Sequence, residues 1–232
     1  MASTVPVAAP AEALDRLRQQ VAQAQAEGRR FLLGLVGAPG AGKSTLAQAL
    51  VEGLNAAGDS ACLVPMDGFH LAQAELERLG RAERKGAPDT FDAHGYVALL
   101  RRLRTPLPKG VGGDGPGEVV YAPEFRRELE EPVAGALAVP PAVPCVVTEG
   151  NYLLMDTPGW RGVRPLLDEV WYVETDDALR VQRLVARHQQ FGRSADAARA
   201  WVMRSDEANA RLIEATRQRA DRVWRWGSGW VA

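Results

Sequence analysis

Gly37-Ala38-Pro39-Gly40-Ala41-Gly42-Lys43-Ser44 is the stretch of this 232-residue chain whose residue types and spacing speak most directly of chemistry. It satisfies the pattern GxxxxGK followed by Ser or Thr, in which the glycines let successive backbone N–H groups turn into one concavity that holds a polyphosphate. A helix beginning at Lys43 would add its positive dipole end. Lys43 is then set to reach the outer phosphates, and the Ser44 hydroxyl to ligate magnesium. Two carboxylates close apolar runs elsewhere: Asp67 in VPMDGFH and Glu149 in VVTEGNY. At a strand end beside the phosphate loop, Asp67 can take the proton of an attacking hydroxyl, or it can simply be the turn residue before Gly68. Glu149 in the matching place can position magnesium, directly or through water, or cap a following turn.

Arg180, Arg183 and Arg187 are spaced three and four apart and so share one helix face, with Arg193 following Gly192. Such a face can close over a nucleotide as a lid spanning about residues 180–200, with Arg187 and Arg193 as the contacts. The alternative is a solvated basic stripe paired with Asp176 and Asp177.

These residues must be positioned by something regular. Phe31 to Val36 is a nearly continuous apolar run that feeds the glycine loop and then the helical stretch LAQALVEGL. Similar runs occur at Ala61 to Met66, Val143 to Thr148, Glu169 to Val173 and Arg222 to Trp226, with helix-like segments between most of them. Strands too distant for hairpins and alternating with helices predict an α/β chain with a parallel sheet covered on both faces. Leu14, Leu17, Val21 and Ala24 predict an amphipathic helix from about Ala11 to Glu27, after a frayed terminus at 1–12. Thr105 to Glu118 and Ala138 to Pro144, dense in Gly or Pro, read as loops. The interval 67–144 is long for a crossover and predicts an insertion lying over the strand ends.

Composition narrows the function classes. With 46% hydrophobic and 25% charged residues the chain is ordinary for one globular domain. Twenty-eight Lys plus Arg against 29 Asp plus Glu give a net charge of -1, so no global basic field exists for nucleic acid or an anionic membrane. No apolar stretch approaches the ~20 residues of a spanning helix. Cys62 and Cys145 are too few for a disulfide framework, and a cytoplasmic location is expected. An NKxD-type guanine clamp and an LSGGQ-like signature are both absent from the sequence.

With MDGFH, RKGAPDTFD and VVTEGNYLL in view, the chain resembles the small-molecule kinases that group uridine kinase, phosphoribulokinase and bacterial pantothenate kinase. The likeness runs from about Phe31 to Trp226 and is closest to a nucleoside kinase-like or fructokinase-like branch. It implies a P-loop nucleoside triphosphate hydrolase fold: a five-stranded parallel sheet, helices on both faces and a helical lid. It also implies ATP and Mg2+ as cofactors and a small-molecule hydroxyl acceptor, with oligomeric state open although the family often forms dimers. The phosphate-loop residues map onto Gly37, Ala38, Pro39, Gly40, Ala41, Gly42, Lys43, Ser44 and Thr45, and the base onto Asp67. Arg84, Lys85 and Asp92 are implied at the acceptor side. His70 and Tyr121 are further acceptor-pocket candidates, with a satisfied histidine and a packed aromatic as the alternatives; Asn151 either donates to substrate or holds its turn, and Arg127 is a further substrate-binding candidate. In VYAPEFRRELEEP, Arg126 stands where the family commonly has an Asp before Arg127, which removes an acidic contact to substrate at that point. Trp201, Asp206 and Asn209 match the branch without an evident role.

A phosphate loop with Asp67 and Glu149 at strand ends favours an ATP-dependent kinase acting on a small metabolite such as a nucleoside, a sugar or a pantothenate-like compound. A nucleotide hydrolase whose Asp67 orients water and an ATP-binding regulatory module with little turnover are the competing readings.

Overall fold

The computed structural model describes residues 9–104, 117–226 and 230–231. Helix α1 (Ala11–Ala26) buries Ala13, Leu17, Val21 and Ala24 along one stripe, and it begins inside the stretch expected to be frayed. Strand β1 (Phe31–Val36) leads through the glycine loop into α2 (Lys43–Ala56). Strand β2 (Ala61–Leu63) is shorter than its apolar run, because Pro65 has no N–H to give to a ladder and the chain turns at Met66–Phe69 into a single 3₁₀ turn. Helices α3 (Gln73–Arg78) and α4 (Ala93–Leu103) follow, then β3 (Val120–Arg126), β4 (Glu131–Val139), β5 (Cys145–Gly150) and β6 (Glu169–Thr175). The chain ends with α5 (Asp177–Gln190), α6 (Ala195–Trp201), a π-helical turn at Val202–Asp206, α7 (Glu207–Glu214), β7 (Arg222–Trp226) and β8 (Trp230–Val231).

The main sheet has the order β2-β5-β1-β6-β7-β8. Its first five strands are parallel, as expected, and β8 adds an antiparallel edge that the sequence pattern did not announce. Both faces are covered, which explains the unbroken apolar runs. Along β1, Leu32 and Val36 face one core with Tyr96, Leu153 and Val170, while Phe31, Leu33 and Leu35 face the other with Leu17, Leu50 and Trp171. The period of two in the strands thus divides one apolar run between two cores.

Strands β3 and β4 form a separate antiparallel hairpin within the 67–144 interval. Their charged and proline-containing sequence hides them: a register shift between Ala122 and Glu124 accommodates Pro123, and Glu130 takes a positive φ of 53° in the turn. Ala138 and Val139, expected in a loop, complete β4. Of the Gly- and Pro-rich stretch 105–118, residues 105–116 lie outside the described residues, and so does Lys109. Arg30 is buried and donates to the carbonyls of Val143, Leu103, Pro140 and Pro141, tying the approach to β5 onto the end of α4. Cys145 is buried and Cys62 half-buried, neither in a disulfide, and burial pushes both thiols above the ordinary range. No helix among the described residues is long and apolar enough to cross a membrane.

Candidate active site

The parallel strands end at the mouth of a cleft of about 1080 Å³. Its floor is the glycine loop. Gly42 has a φ of +95° and Gly40 one of +79°, conformations that side chains resist. A Cβ on Gly37 would meet the Val173 carbonyl oxygen at 2.3 Å, so the loop lies directly against β6. Lys43, buried at the first turn of α2, donates from Nζ to the carbonyl oxygens of Gly37 (2.9 Å) and Ala38 (3.1 Å). Burial pulls its pKa down, while Glu149 and Asp67 oppose that shift. Ser44 and Thr45 are exposed toward the cleft.

Glu149, next to last in β5, accepts a hydrogen bond from Ser44 Oγ at 3.0 Å and is almost completely buried. Its carboxyl group is held above the ordinary range, first by burial and then by the negative charge of Asp67, with Lys43 and Ser44 acting the other way. Asp67 sits on the 3₁₀ turn that follows β2. Its turn is fixed by contact with the hairpin, since a Cβ on Gly68 would stand 2.2 Å from the Pro123 carbonyl oxygen. The three groups chosen from sequence as base, metal carboxylate and phosphate lysine are therefore neighbours.

Another wall of the cleft comes from less regular structure. His70 Nδ1 donates to the Asp67 carbonyl oxygen at 2.8 Å, which leaves Nε2 as an acceptor in the neutral ring. Burial lowers the His70 pKa, and its ring lies 4.0 Å from that of Phe91 and 4.8 Å from that of Phe125, centre to centre. Lys85 donates to the Glu130 carbonyl oxygen at 2.7 Å and sits over the Phe125 ring. Arg127 and Asn151 line the same cleft. Three other candidates are not brought there. Arg84 pairs with Asp89 at 2.6 Å on the surface, Asp92 caps α4 by accepting from the Gly95 N–H at 2.8 Å, and Tyr121 stands 58% exposed on β3 outside the cleft lining.

On the remaining side, α5 to α7 bring Arg183, Arg187 and Arg193 to the cleft. Arg187 reaches solvent through the cleft mouth, and its pKa is lowered first by the surrounding protein and then by Arg127. Arg193 stacks over Trp201 at 4.2 Å. Arg180, drawn on the same helix face, is instead buried. It is paired with Asp177 and Glu207 and donates to the Pro39 carbonyl oxygen at 3.4 Å, so it braces the loop. The π-helical turn gives Asp206 a 3.0 Å contact with His188. Asn209, one turn on, donates at 3.4 Å to the Gly86 carbonyl oxygen, which Tyr152 also binds through its hydroxyl. Sequence reasoning missed Phe91, Phe125 and Tyr152; the one signal was Gly86 itself, whose φ of +97° marks a turn that only its neighbours reveal as a hub.

A glycine loop between β1 and α2, a sheet in this strand order, Glu149 at the end of β5 and Asp67 on the turn after β2, rather than at the strand end expected for it, define a P-loop kinase. The sequence profile of the Phosphoribulokinase / Uridine kinase family matches residues 32–228, and the chain belongs to that family. It is 41% identical to a structure from Silicibacter sp. TM1040 whose name proposes a fructose transport system kinase; the match covers 91% of this chain and 98% of that one, with a TM-score of 0.79. A Schizosaccharomyces pombe protein whose name proposes a uridine kinase is 32% identical over 184 residues, 77% of this chain and 74% of its own length. YFH7 from Saccharomyces cerevisiae shares the fold with a TM-score of 0.76 at 19% identity, covering 92% of this chain and 98% of the other. The protein is an ATP-dependent phosphotransferase acting on a small molecule.

Proposed function

We propose that the protein transfers the γ-phosphoryl group of ATP to a hydroxyl of a small metabolite, of the nucleoside, sugar or pantothenate-like kind. The observation that carries this reading is the meeting of Asp67, Glu149 and Lys43 at one end of the sheet. The glycine loop from Gly37 to Thr45 cradles the phosphates, with Lys43 turning from the loop carbonyls to the outer phosphates. Asp67 accepts the proton of the acceptor hydroxyl as its oxygen attacks phosphorus. Arg187 and Arg193, on a lid formed by residues 180–200, offset charge on the group in transfer.

The residues present fit a magnesium ion. Ser44 Oγ and Glu149 Oε1 are 3.0 Å apart, and a buried carboxylate beside a second carboxylate gains from a cation. Ser44 and Glu149 would hold it, in keeping with an ion that takes one or two protein oxygens and the rest from phosphate and water. Bound there, the ion supplies charge neutralisation at the phosphates. The insertion at 67–144 acts as the acceptor-side part of a single domain.

The test is ADP release with ATP and magnesium across nucleosides, sugars, sugar phosphates and pantothenate, with Asp67→Asn as control. One acceptor class raises the rate above the acceptor-free background, and the variant loses that gain. A cytoplasmic location and a homodimer rest on composition and resemblance, and light scattering of the purified protein tests the dimer.

A further inference from the structure

We infer that the acceptor carries an anionic group, a carboxylate or a phosphate, bound by Arg127 and Lys85; this rests on the kinase reading above. The observation is a contrast between adjacent residues. Arg84 and Lys85 are neighbours in sequence, as are Arg126 and Arg127. In each pair one cation is turned away from the cleft and neutralised by the chain's own acids: Arg84 by Asp89, and Arg126 by Glu124 at 2.5 Å and Glu128 at 3.7 Å. The other lines the cleft with no carboxylate partner among the described residues. Arg127 makes no hydrogen bond or ion pair there, and Lys85 gives its protons to two neutral oxygens, the Glu130 carbonyl and Gln73 Oε1 at 3.4 Å.

Arg127 is exposed and Lys85 half-buried on this side of the cleft, so an anion that reaches them gains charge-assisted hydrogen bonds that the chain's own acids do not supply. Arg127 acts unfavourably on Arg187 and on His70 and favourably on Glu149, while Asp67 supports the charge of both Arg187 and His70. Of the carboxylates that line the cleft, Asp67 and Glu149 are occupied by the transfer itself, Asp206 contacts His188, and Glu83 and Glu130 stand exposed on the rim without pairing to either cation. ATP approaches from the glycine loop, where Lys43 and Arg187 meet its phosphates, whereas Lys85 sits over Phe125 in the aromatic wall of His70, Phe91 and Phe125, and Arg127 is near enough to act on both His70 and Arg187. That wall suits a short carbon body with its hydroxyl at Asp67 and its anionic end at Arg127. In the transfer, the acceptor oxygen forms a bond to the γ-phosphorus as the bond from that phosphorus to the β–γ bridging oxygen breaks. Asp67 takes the hydroxyl proton, and ADP leaves with the electron pair.

The test uses matched acceptors differing in the anionic group: glycerate against glycerol, pantothenate against panthenol, and ribose 5-phosphate against ribose. Binding is measured by calorimetry to enzyme saturated with magnesium and a non-hydrolysable ATP analogue, so that the glycine loop is filled. At least one charged member should bind about tenfold or more tighter than its neutral partner, the scale of a charge-assisted hydrogen bond. Arg127→Ala should erase that preference, Arg127→Lys retain part of it, Lys85→Ala weaken it, and Arg126→Ala leave it unchanged. Equal or better binding of the neutral members overturns the inference, as does failure of every charged probe to bind, or a preference that survives both Arg127→Ala and Lys85→Ala. ADP release with the same compounds separates the two readings. Turnover of neutral acceptors alone keeps the kinase and sinks the anionic site, whereas charge-selective binding without acceptor-stimulated ADP release keeps the anionic site and sinks the kinase.

Discussion

The floor and the far wall of the cleft are made differently. The floor takes Lys43, Ser44 and Glu149 from the ends of β1 and β5 and the head of α2, elements buried on both sides and held by one ladder of parallel pairs. The wall takes His70, Lys85, Phe91, Phe125 and Arg127 from turns and a hairpin that lie outside the main sheet. The floor serves a polyphosphate, whose shape is the same in every kinase of this kind. On the proposed reading the wall meets the acceptor, and irregular backbone lets its side chains be reset without disturbing the sheet.

The largest expected effects break the floor. Lys43→Ala should cut turnover by about a thousandfold, the scale of losing a main charge on the transferring group, and weaken nucleotide binding in titrations. Asp67→Asn lies at the junction of floor and wall. It should lower turnover by about 100-fold or more while sparing ATP affinity; a parallel loss of ATP binding would move Asp67 into the floor. Glu149→Gln separates stability from activity. Because the folded protein holds the Glu149 carboxyl above its ordinary value of 4.5, the folded state binds more protons than the unfolded one across that window, and nucleotide-free stability falls as pH rises through it. The Gln variant should lack that fall and melt higher at neutral pH, by about 2–4 °C for each kcal/mol relieved. It should nonetheless lose most of its magnesium-dependent turnover. Calorimetric scans at several pH values, without nucleotide, check the sign.

Smaller effects sharpen the wall. Gly68→Ala forces a Cβ against the Pro123 carbonyl, so the Asp67 turn or the hairpin must shift; turnover should drop about ten- to a hundredfold with ATP affinity unchanged. Asp92→Ala removes only a helix cap. It should cost about 1 kcal/mol of stability in denaturant titration and leave turnover and acceptor affinity intact, in contrast to what its place in RKGAPDTFD suggests.

The same division governs what was legible in the sequence. The runs that become β1, β5, β6 and β7 are apolar on both faces, and the glycine loop between β1 and α2 is specified by chemistry that few other residues satisfy. Asp67 and Glu149 follow from their places at the ends of such runs. The hairpin was not legible, because VYAPEFR and EPVAGALAV carry charge, proline and glycine, and their pairing depends on a register shift at Pro123. Arg84, Asp92 and Tyr121 shared a segment with true lining residues, but a segment's motif does not say which way each side chain turns. Arg126, the last residue of β3, and Arg127, the first of the turn after it, show how one position decides between pairing with surface acids and lining the cleft. Arg180 shows the same limit on a helix: its spacing matched Arg183 and Arg187, yet the loop carbonyl of Pro39 and the carboxylate of Glu207 claimed it.

The two cysteines give the molecule an experimental convenience. With Cys145 sealed in β5 and the half-buried Cys62 thiol raised by its surroundings, both remain protonated at neutral pH and react sluggishly with maleimides or peroxide. A cysteine introduced in place of the exposed Phe191 would be the fast-labelling handle on the native background. A single fluorophore attached there would report on the helical segment beside Arg187 without any prior removal of native thiols.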